Sequence, residues 1–260
     1  MFKIVVIFIL IWIVFSKLNN KKNNNKVEKS YSYKESESNV NLEKEEKLVK
    51  KEEENFPKIE VVFFDTETNG LKANNSVLSI SAIKTLVDFN NKTINILDRY
   101  ERFYFPEEPY NYDAIRVNGL TKDYVTKKRN GADYPVYFNK DQIAFFLFCG
   151  NIQHFVAHNI EFDRKFLNKR LPKQFCTMKS NTDIIKLPPQ RIGTRYKWPK
   201  LEEATRFYRI PSNNNRFHDS MYDVEMTIEV FKAMLKHERG SKLIKEFLFN
   251  PTYSYREYYN

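Results

Sequence analysis

Residues Ile59–Gly70 read IEVVFFDTETNG. The near-continuous apolar stretch, rich in β-branched and aromatic side chains, predicts a strand buried on both faces at the centre of a sheet. It ends abruptly in Asp65-Thr66-Glu67-Thr68-Asn69-Gly70. Asp65 and Glu67 are two apart at the strand end, so the pleat turns both carboxylates to one face. Adjacent carboxylates repel unless a cation sits between them. Oxygen-rich sites of this kind select hard ions such as Mg²⁺ or Mn²⁺. A strand end with two solvated acids has the same pattern, so the pair needs partners from elsewhere in the chain.

Moving outward, Val77–Phe89 and Thr93–Phe105 read as two long strands joined in a hairpin at Asn90-Asn91-Lys92. Asp141–Phe148 reads as a short helix and Gln153–Ala157 as a short buried strand. Helices are expected to start at Glu161–Lys169, to cover Leu201–Tyr208, and to run through Met221–Leu248 with a break near Gly240. Three strands followed by alternating helix and strand predict an α/β domain with a mixed β-sheet.

Two further motifs carry ionisable groups. Ala157-His158-Asn159-Ile160-Glu161-Phe162-Asp163 follows a short strand and opens a helix. There Asp163 would lie in the first turn, where it could also merely complement the helix dipole. His158 could equally be a core histidine, and Glu161 a solvated surface acid. His218-Asp219-Ser220-Met221-Tyr222-Asp223 precedes the long C-terminal helical stretch. Ser220 is a candidate cap, Asp223 would point toward His218, and a histidine is the natural general base near neutral pH.

Taken in order, FDTETNG, AHNIEFD and HDSMYD resemble the DEDDh, DnaQ-like 3′→5′ exonucleases. The resemblance spans residues 59–235. Val117-Asn118-Gly119-Leu120-Thr121 looks like that family's helix-turn segment, with Asn118 where a histidine is more usual. Asn181-Thr182-Asp183 looks like its strand after the second motif, and Lys200-Leu201-Glu202-Glu203 like the helix before the third. The family fold implied is an RNase H-like mixed β-sheet with helices on both faces. The resemblance implies that Asp65, Glu67, Asp163 and Asp223 hold two divalent cations, Mg²⁺ or Mn²⁺, with Asp65 bridging them. His218 would take the proton of the attacking water, and 5′-mononucleotides would leave from single-stranded 3′ ends of DNA or RNA. The sister group has a tyrosine four residues before the last aspartate; that position here is Asp219, so the histidine subgroup fits. Thr68 would contact the 3′-terminal nucleotide, and His158 and Asn159 would line the site. Leu71 reads either as a wedge against the last bases or as core packing. The basic and aromatic residues from Arg191 to Lys200, with Tyr196 and Trp198, read as a surface loop or as a track for a single strand.

The rest of the chain bounds the setting. Residues 1–15 hold an apolar run after Lys3, suited to a signal peptide or signal anchor. Residues 16–58 are Lys-, Asn-, Glu- and Ser-rich, and are expected to form a disordered linker or transit segment. Residues 59–250 form the catalytic domain and 251–260 a tail. The net charge is +10; residues 16–58 carry 11 Lys against 9 Glu, which leaves most of the surplus on the folded domain. A basic domain suits a nucleic-acid partner. Two cysteines, Cys149 and Cys176, exclude a disulfide framework and lack zinc-site spacing. The start of the chain suggests secretory-pathway entry, then membrane anchoring or organelle delivery. The competing functional readings are a catalytically inactive nucleic-acid-binding module and a membrane-tethered interaction protein.

Overall fold

β1 (Ile59–Thr68) occupies the centre of a five-stranded sheet of order β3-β2-β1-β4-β5. The other strands are β2 (Val77–Asp88), β3 (Thr93–Phe103), β4 (His154–Ala157) and β5 (Lys173–Cys176). β1 and β2 pair antiparallel, as do β2 and β3, while β1–β4 and β4–β5 are parallel. The sheet is therefore mixed. Eight helices complete the described fold: α1 (Tyr112–Asn118), α2 (Lys122–Lys128), α3 (Gln142–Cys149), α4 (Ile160–Asp163), α5 (Thr177–Ile185), α6 (Leu201–Phe207), α7 (Ser220–Lys236) and α8 (Glu238–Phe249). The computed structural model describes residues 55–189, 193, 195–255 and 259. The readings made for residues 1–15, for most of 16–58 and for Arg191 lie outside these residues. Among the described residues no helix is long and apolar enough to cross a membrane.

The apolar run in β1 does not alternate because both faces of the strand are covered. Val61 and Phe63 pack on one side with Phe231, Met234, Ile244 and Phe247 from α7 and α8. Val62 and Phe64 pack on the other with Phe145 from α3 and Phe155 from β4. Phe63 is fully buried and meets Phe231 edge-on at 5.2 Å between centroids, so truncating it to alanine would cost about 3–5 kcal/mol. The same parity continues past the core. Asp65 and Glu67 share the face of Val61 and Phe63, the α7 side, while Thr66 turns to the other.

Several local expectations need correction. The helix expected over Glu161–Lys169 stops at Asp163, passes through a single tight turn at Arg164–Phe166, and is extended by Leu167. Phe166, Leu167 and Leu171 are all buried in the cluster with Phe64 and Phe155, which a continuous helix ahead of Pro172 would not allow. Asn181-Thr182-Asp183 is not a strand but the middle of α5; the strand is β5, pairing Lys173 with His154. Buried Asn181 ties three helices together: its amide donates to Thr177 O (2.8 Å) and contacts Met234 Sδ (3.1 Å), and its oxygen accepts from Tyr208 (2.6 Å). The break in the C-terminal helical stretch falls at His237, not Gly240. Gly240 lies in the first turn of α8, where a Cβ would come within 2.5 Å of Met234 O; the glycine permits close helix approach. Finally, Asp219 rather than Ser220 caps α7, accepting from Met221 N and Tyr222 N.

The helix-turn segment at Val117–Thr121 forms as expected. Gly119 ends α1 with φ of 69°, and Thr121 caps α2 through Tyr124 N. Residues after α8 pack back on the domain: Tyr253 and Tyr255 are buried, and Tyr253 donates to Gln174 O at 2.9 Å.

Candidate active site

The C-terminal end of β1 opens into a cleft of about 680 Å³, lined by Asp65, Glu67, Asp163, His218 and Asp223 among others. They come from three segments, each held differently. Glu67 and Asp65 stand opposite Ser79 and Ser81 of β2. The hydroxyls of those serines bond the Ser220 hydroxyl at 3.0 and 2.7 Å. This pins the first residue of α7 to the sheet beside the two acids and brings Asp223, one turn later, over them. Asp163 arrives from α4 and is fixed by Thr66, whose backbone N–H and Oγ1 donate to Asp163 Oδ1 at 3.0 and 2.8 Å.

The four carboxylates crowd one another. Burial, reinforced by the charges of Asp163, Asp223 and Glu67, holds the Asp65 carboxyl well above the usual carboxylate range. Burial and the charges of Asp223 and Asp163 do the same to Glu67, against a hydrogen bond from Asn118. Burial pushes Asp163 up to about 7 despite its bonds from Thr66. Burial also pushes Asp223 up to about 7, against the bond from His218 N. One ligand atom each from Glu67, His218 and Asp223 lie within 4.8 Å of one another. Asp65 and Asp163 stand outside that trio, within range of its charge.

His218 is held in an unusual way. Its backbone has a φ of 74°, the left-handed region that side chains other than glycine rarely adopt. Its N–H donates to Asp223 Oδ2 at 3.1 Å. The ring is largely open to solvent, with Nδ1 3.9 Å from Glu67 Oε1, too far for a hydrogen bond. Partial burial and the positive charge of Lys200 lower its pKa below the ordinary value.

The remaining expected residues also reach the cleft. His158 lines it, but both ring nitrogens are engaged: Nε2 with Pro199 O at 3.0 Å and Nδ1 with Thr177 Oγ1 at 3.0 Å. A carbonyl only accepts, so Nε2 carries the proton and Nδ1 accepts from the threonine. Burial depresses the pKa of His158 to about 4. Asn159 lines the cleft and its carbonyl accepts from Phe162 N at 2.8 Å, starting α4. Thr68 is buried with its hydroxyl donating to Gly70 O at 2.7 Å, so it faces the cleft with its hydroxyl already engaged. Leu71 is 79% exposed on the cleft wall, which excludes core packing. Glu161 turns away to pair with Lys179 at 3.0 Å. Tyr222 is buried packing, its hydroxyl accepting from Asn213 N.

Asn118 is brought closer to the chemistry than its sequence signal indicated. It donates to Thr68 O at 3.1 Å and touches Glu67. Ser79 and Ser81 gave no signal at all, and Ser220 only one as a helix cap, because their shared role depends on the β1–β2 register.

Comparison with known proteins identifies the family and the fold. The model of an exonuclease family, RNase T-type, matches residues 62–231. The chain belongs to this exonuclease family and carries a nuclease domain of RNase H-like fold. The PolC-type DNA polymerase III of Halalkalibacterium halodurans is 30% identical over 185 residues, covering 68% of this chain and 11% of that protein. The DNA polymerase III subunit epsilon of Rickettsia prowazekii is 23% identical over 189 residues, covering 66% and 72% respectively. The chain thus spans about a tenth of the PolC-type relatives. Escherichia coli exonuclease I, in a zinc-bound complex with single-stranded DNA, superposes with a TM-score of 0.54 at 17% identity, over 72% of this chain and 43% of that one; it shares the fold.

Exonucleases of this kind use divalent metal ions, and the residues here fit one. Asp223 Oδ1 is buried with no hydrogen-bond partner in the protein. Leaving such an atom unpaired costs about 1–3 kcal/mol. Asp65, Glu67 and Asp163 share its cleft, all three with raised pKa values, and a hard cation would relieve the crowding of these acids.

Proposed function

We propose that this protein is a 3′→5′ exonuclease that shortens single-stranded DNA or RNA ends one nucleotide at a time. Asp65, Glu67, Asp163 and Asp223 would hold two Mg²⁺ or Mn²⁺ ions, and His218 would serve as general base. The observation that carries the reading is the pairing of a crowded carboxylate floor with one solvent-facing histidine at its edge.

When bound, the ions supply the positive charge that polarises the phosphodiester and stabilises the departing oxygen. The chain's own residues do the rest. Thr66 orients Asp163 before any ligand arrives, so that carboxylate needs no reorganisation. The Ser79–Ser81–Ser220 contacts set Asp223 against β1. His218 stands free to accept the proton of the attacking water, and its left-handed backbone aims the ring across the cleft mouth. Leu71, exposed on the wall, would wedge against the terminal bases, and Thr68 would contact the 3′-terminal nucleotide.

A 5′-labelled single strand incubated with the full chain tests the reading. A descending ladder from the 3′ end, dependent on Mg²⁺ and abolished by EDTA, is the expected outcome. Internal cleavage products would defeat the polarity, and activity surviving Asp65→Ala would defeat the site.

A further inference from the structure

The cleft is short of positive charge for a site that receives a polyanion. Among its described lining residues Lys200 is the one lysine or arginine, against the catalytic carboxylates and also Asp113 and Glu202. Lys200 is only loosely held: 70% of its side chain is exposed, and its ion pair with Glu202 spans 3.8 Å. Two residues earlier Trp198 is 58% exposed. Its ring has Lys179 Nζ at 5.8 Å from the centroid, and that lysine is itself held by Glu161.

The backbone between these two side chains is fixed from three directions. His158 Nε2 donates to Pro199 O at 3.0 Å, tying the loop to the segment that carries Asp163. Lys200 N donates to Glu203 Oε2 at 2.8 Å, and Glu203 Oε1 pairs with Lys197. Lys197 N donates to Leu187 O at 3.1 Å. These contacts hold a backbone that presents the Lys200 ammonium group on the cleft wall and, two residues earlier, the Trp198 indole to solvent. Apolar surface left in water forgoes about 25 cal/mol per Å² of burial, so an exposed indole on so well-held a loop suggests a ligand that covers it. A π surface near a loosely paired, solvent-exposed cation matches a base and its neighbouring phosphate in a single strand.

We propose that Trp198 and Lys200 form a clamp for single-stranded nucleic acid at the cleft, Trp198 stacking on a base and Lys200 pairing with a phosphate next to the scissile one. The clamp rests on the exonuclease reading for its place in catalysis, but its binding can be measured without turnover.

The full chain has two tryptophans, Trp12 and Trp198, so Trp12→Phe leaves Trp198 as the sole indole. Titrating that variant with an eight-residue oligothymidylate, without Mg²⁺ and with Ca²⁺ present, should quench its fluorescence saturably. Adding Lys200→Ala should weaken that binding roughly tenfold and reduce the slope of log Kd on log salt by about 0.7, one phosphate's worth for a single strand. Lys200→Arg should restore the slope. In turnover, Trp198→Ala and Lys200→Ala should each lower the octamer-to-dinucleotide ratio of kcat/KM roughly tenfold, because a dinucleotide offers only the scissile phosphate. Absent quenching, an unchanged salt slope, or equal loss on octamer and dinucleotide would each overturn the clamp. Should the wild type hydrolyse neither substrate, the exonuclease reading fails, and the titration still decides the clamp.

Discussion

The segments Ala157–Asp163 and Phe217–Asp223 each bring one histidine and one aspartate to the same cleft, yet they hold their histidines in opposite ways. His158 has both nitrogens bonded to protein and a pKa depressed to about 4. His218 has a solvent-facing ring, a strained backbone, and no ring nitrogen within hydrogen-bonding distance of a carboxylate. The aspartates differ in the same direction. Asp163 Oδ1 takes two hydrogen bonds from Thr66, whereas Asp223 Oδ1 has none. Accounting for each polar atom therefore separates scaffold from chemistry. The first segment has its histidine satisfied within the protein, and the second leaves a buried carboxylate oxygen for a ligand.

The largest effect should come from removing a carboxylate that both segments depend on. Asp163→Ala takes away a cleft acid and leaves Thr66 N and Oγ1 unpaired, so nuclease activity on a labelled strand should fall to background. Residual metal-dependent hydrolysis at a tenth of wild type would show that Asp163 only braces α4. The next effect separates the histidines. His218→Ala should lower kcat by about 10²–10⁴-fold, the usual contribution of a positioned general base, while thermal stability is retained. His158→Ala should leave kcat within about tenfold. Equal kcat losses in the two variants would erase the distinction.

How much of this was legible in the sequence follows the range of the signal. β1 was readable because an unbroken apolar run needs only local information, and Asp65 and Glu67 followed from strand parity. The three motifs were readable as a set. β5 was not: KQFC is four residues long and pairs through a register that no sequence pattern prints. α5 was missed with it, because its N-cap is Cys176, a residue seldom found in that role. Gly240 was recognised as special, but a glycine that ends a helix and one that lets two helices touch look alike until Met234 is in place. The structural role of His158 depends on Pro199, 41 residues away, and the same contact positions the loop carrying Trp198 and Lys200.

A pH series sharpens the comparison from the stability side. At pH 8, His158→Leu should be less stable than wild type by about 1–3 kcal/mol, because Thr177 Oγ1 and Pro199 O lose their partner. The folded pKa of His158, about 4, lies below the ordinary value of 6.5. The unfolded chain therefore binds the extra proton first. The stability that neutral His158 contributes is complete above pH 6.5 and drains away as pH falls toward 4. The gap between wild type and variant in urea midpoints should close over that window. A gap that widened on acidification would mean that His158 is charged in the fold and that its bond to Pro199 has been misread.

The smallest expected effect concerns the strained residue. With φ at 74°, His218 occupies a region in which glycine is at ease. Strain of this kind costs on the order of 1–3 kcal/mol, and part of any relief is offset because glycine also frees the unfolded chain. His218→Gly should therefore raise stability by up to about 1 kcal/mol while removing the general base, a gain of a few degrees in Tm alongside a loss in kcat. The matching change in the other segment, His158→Gly, should lower Tm, since nothing there is strained and two hydrogen bonds are lost. Opposite signs of the Tm shift for the same substitution would show that the fold tolerates strain at His218 and not at His158. A fall in Tm for both would mean that the left-handed turn at His218 is stabilised by contacts of its ring, and that the ring is less free than its exposure indicates.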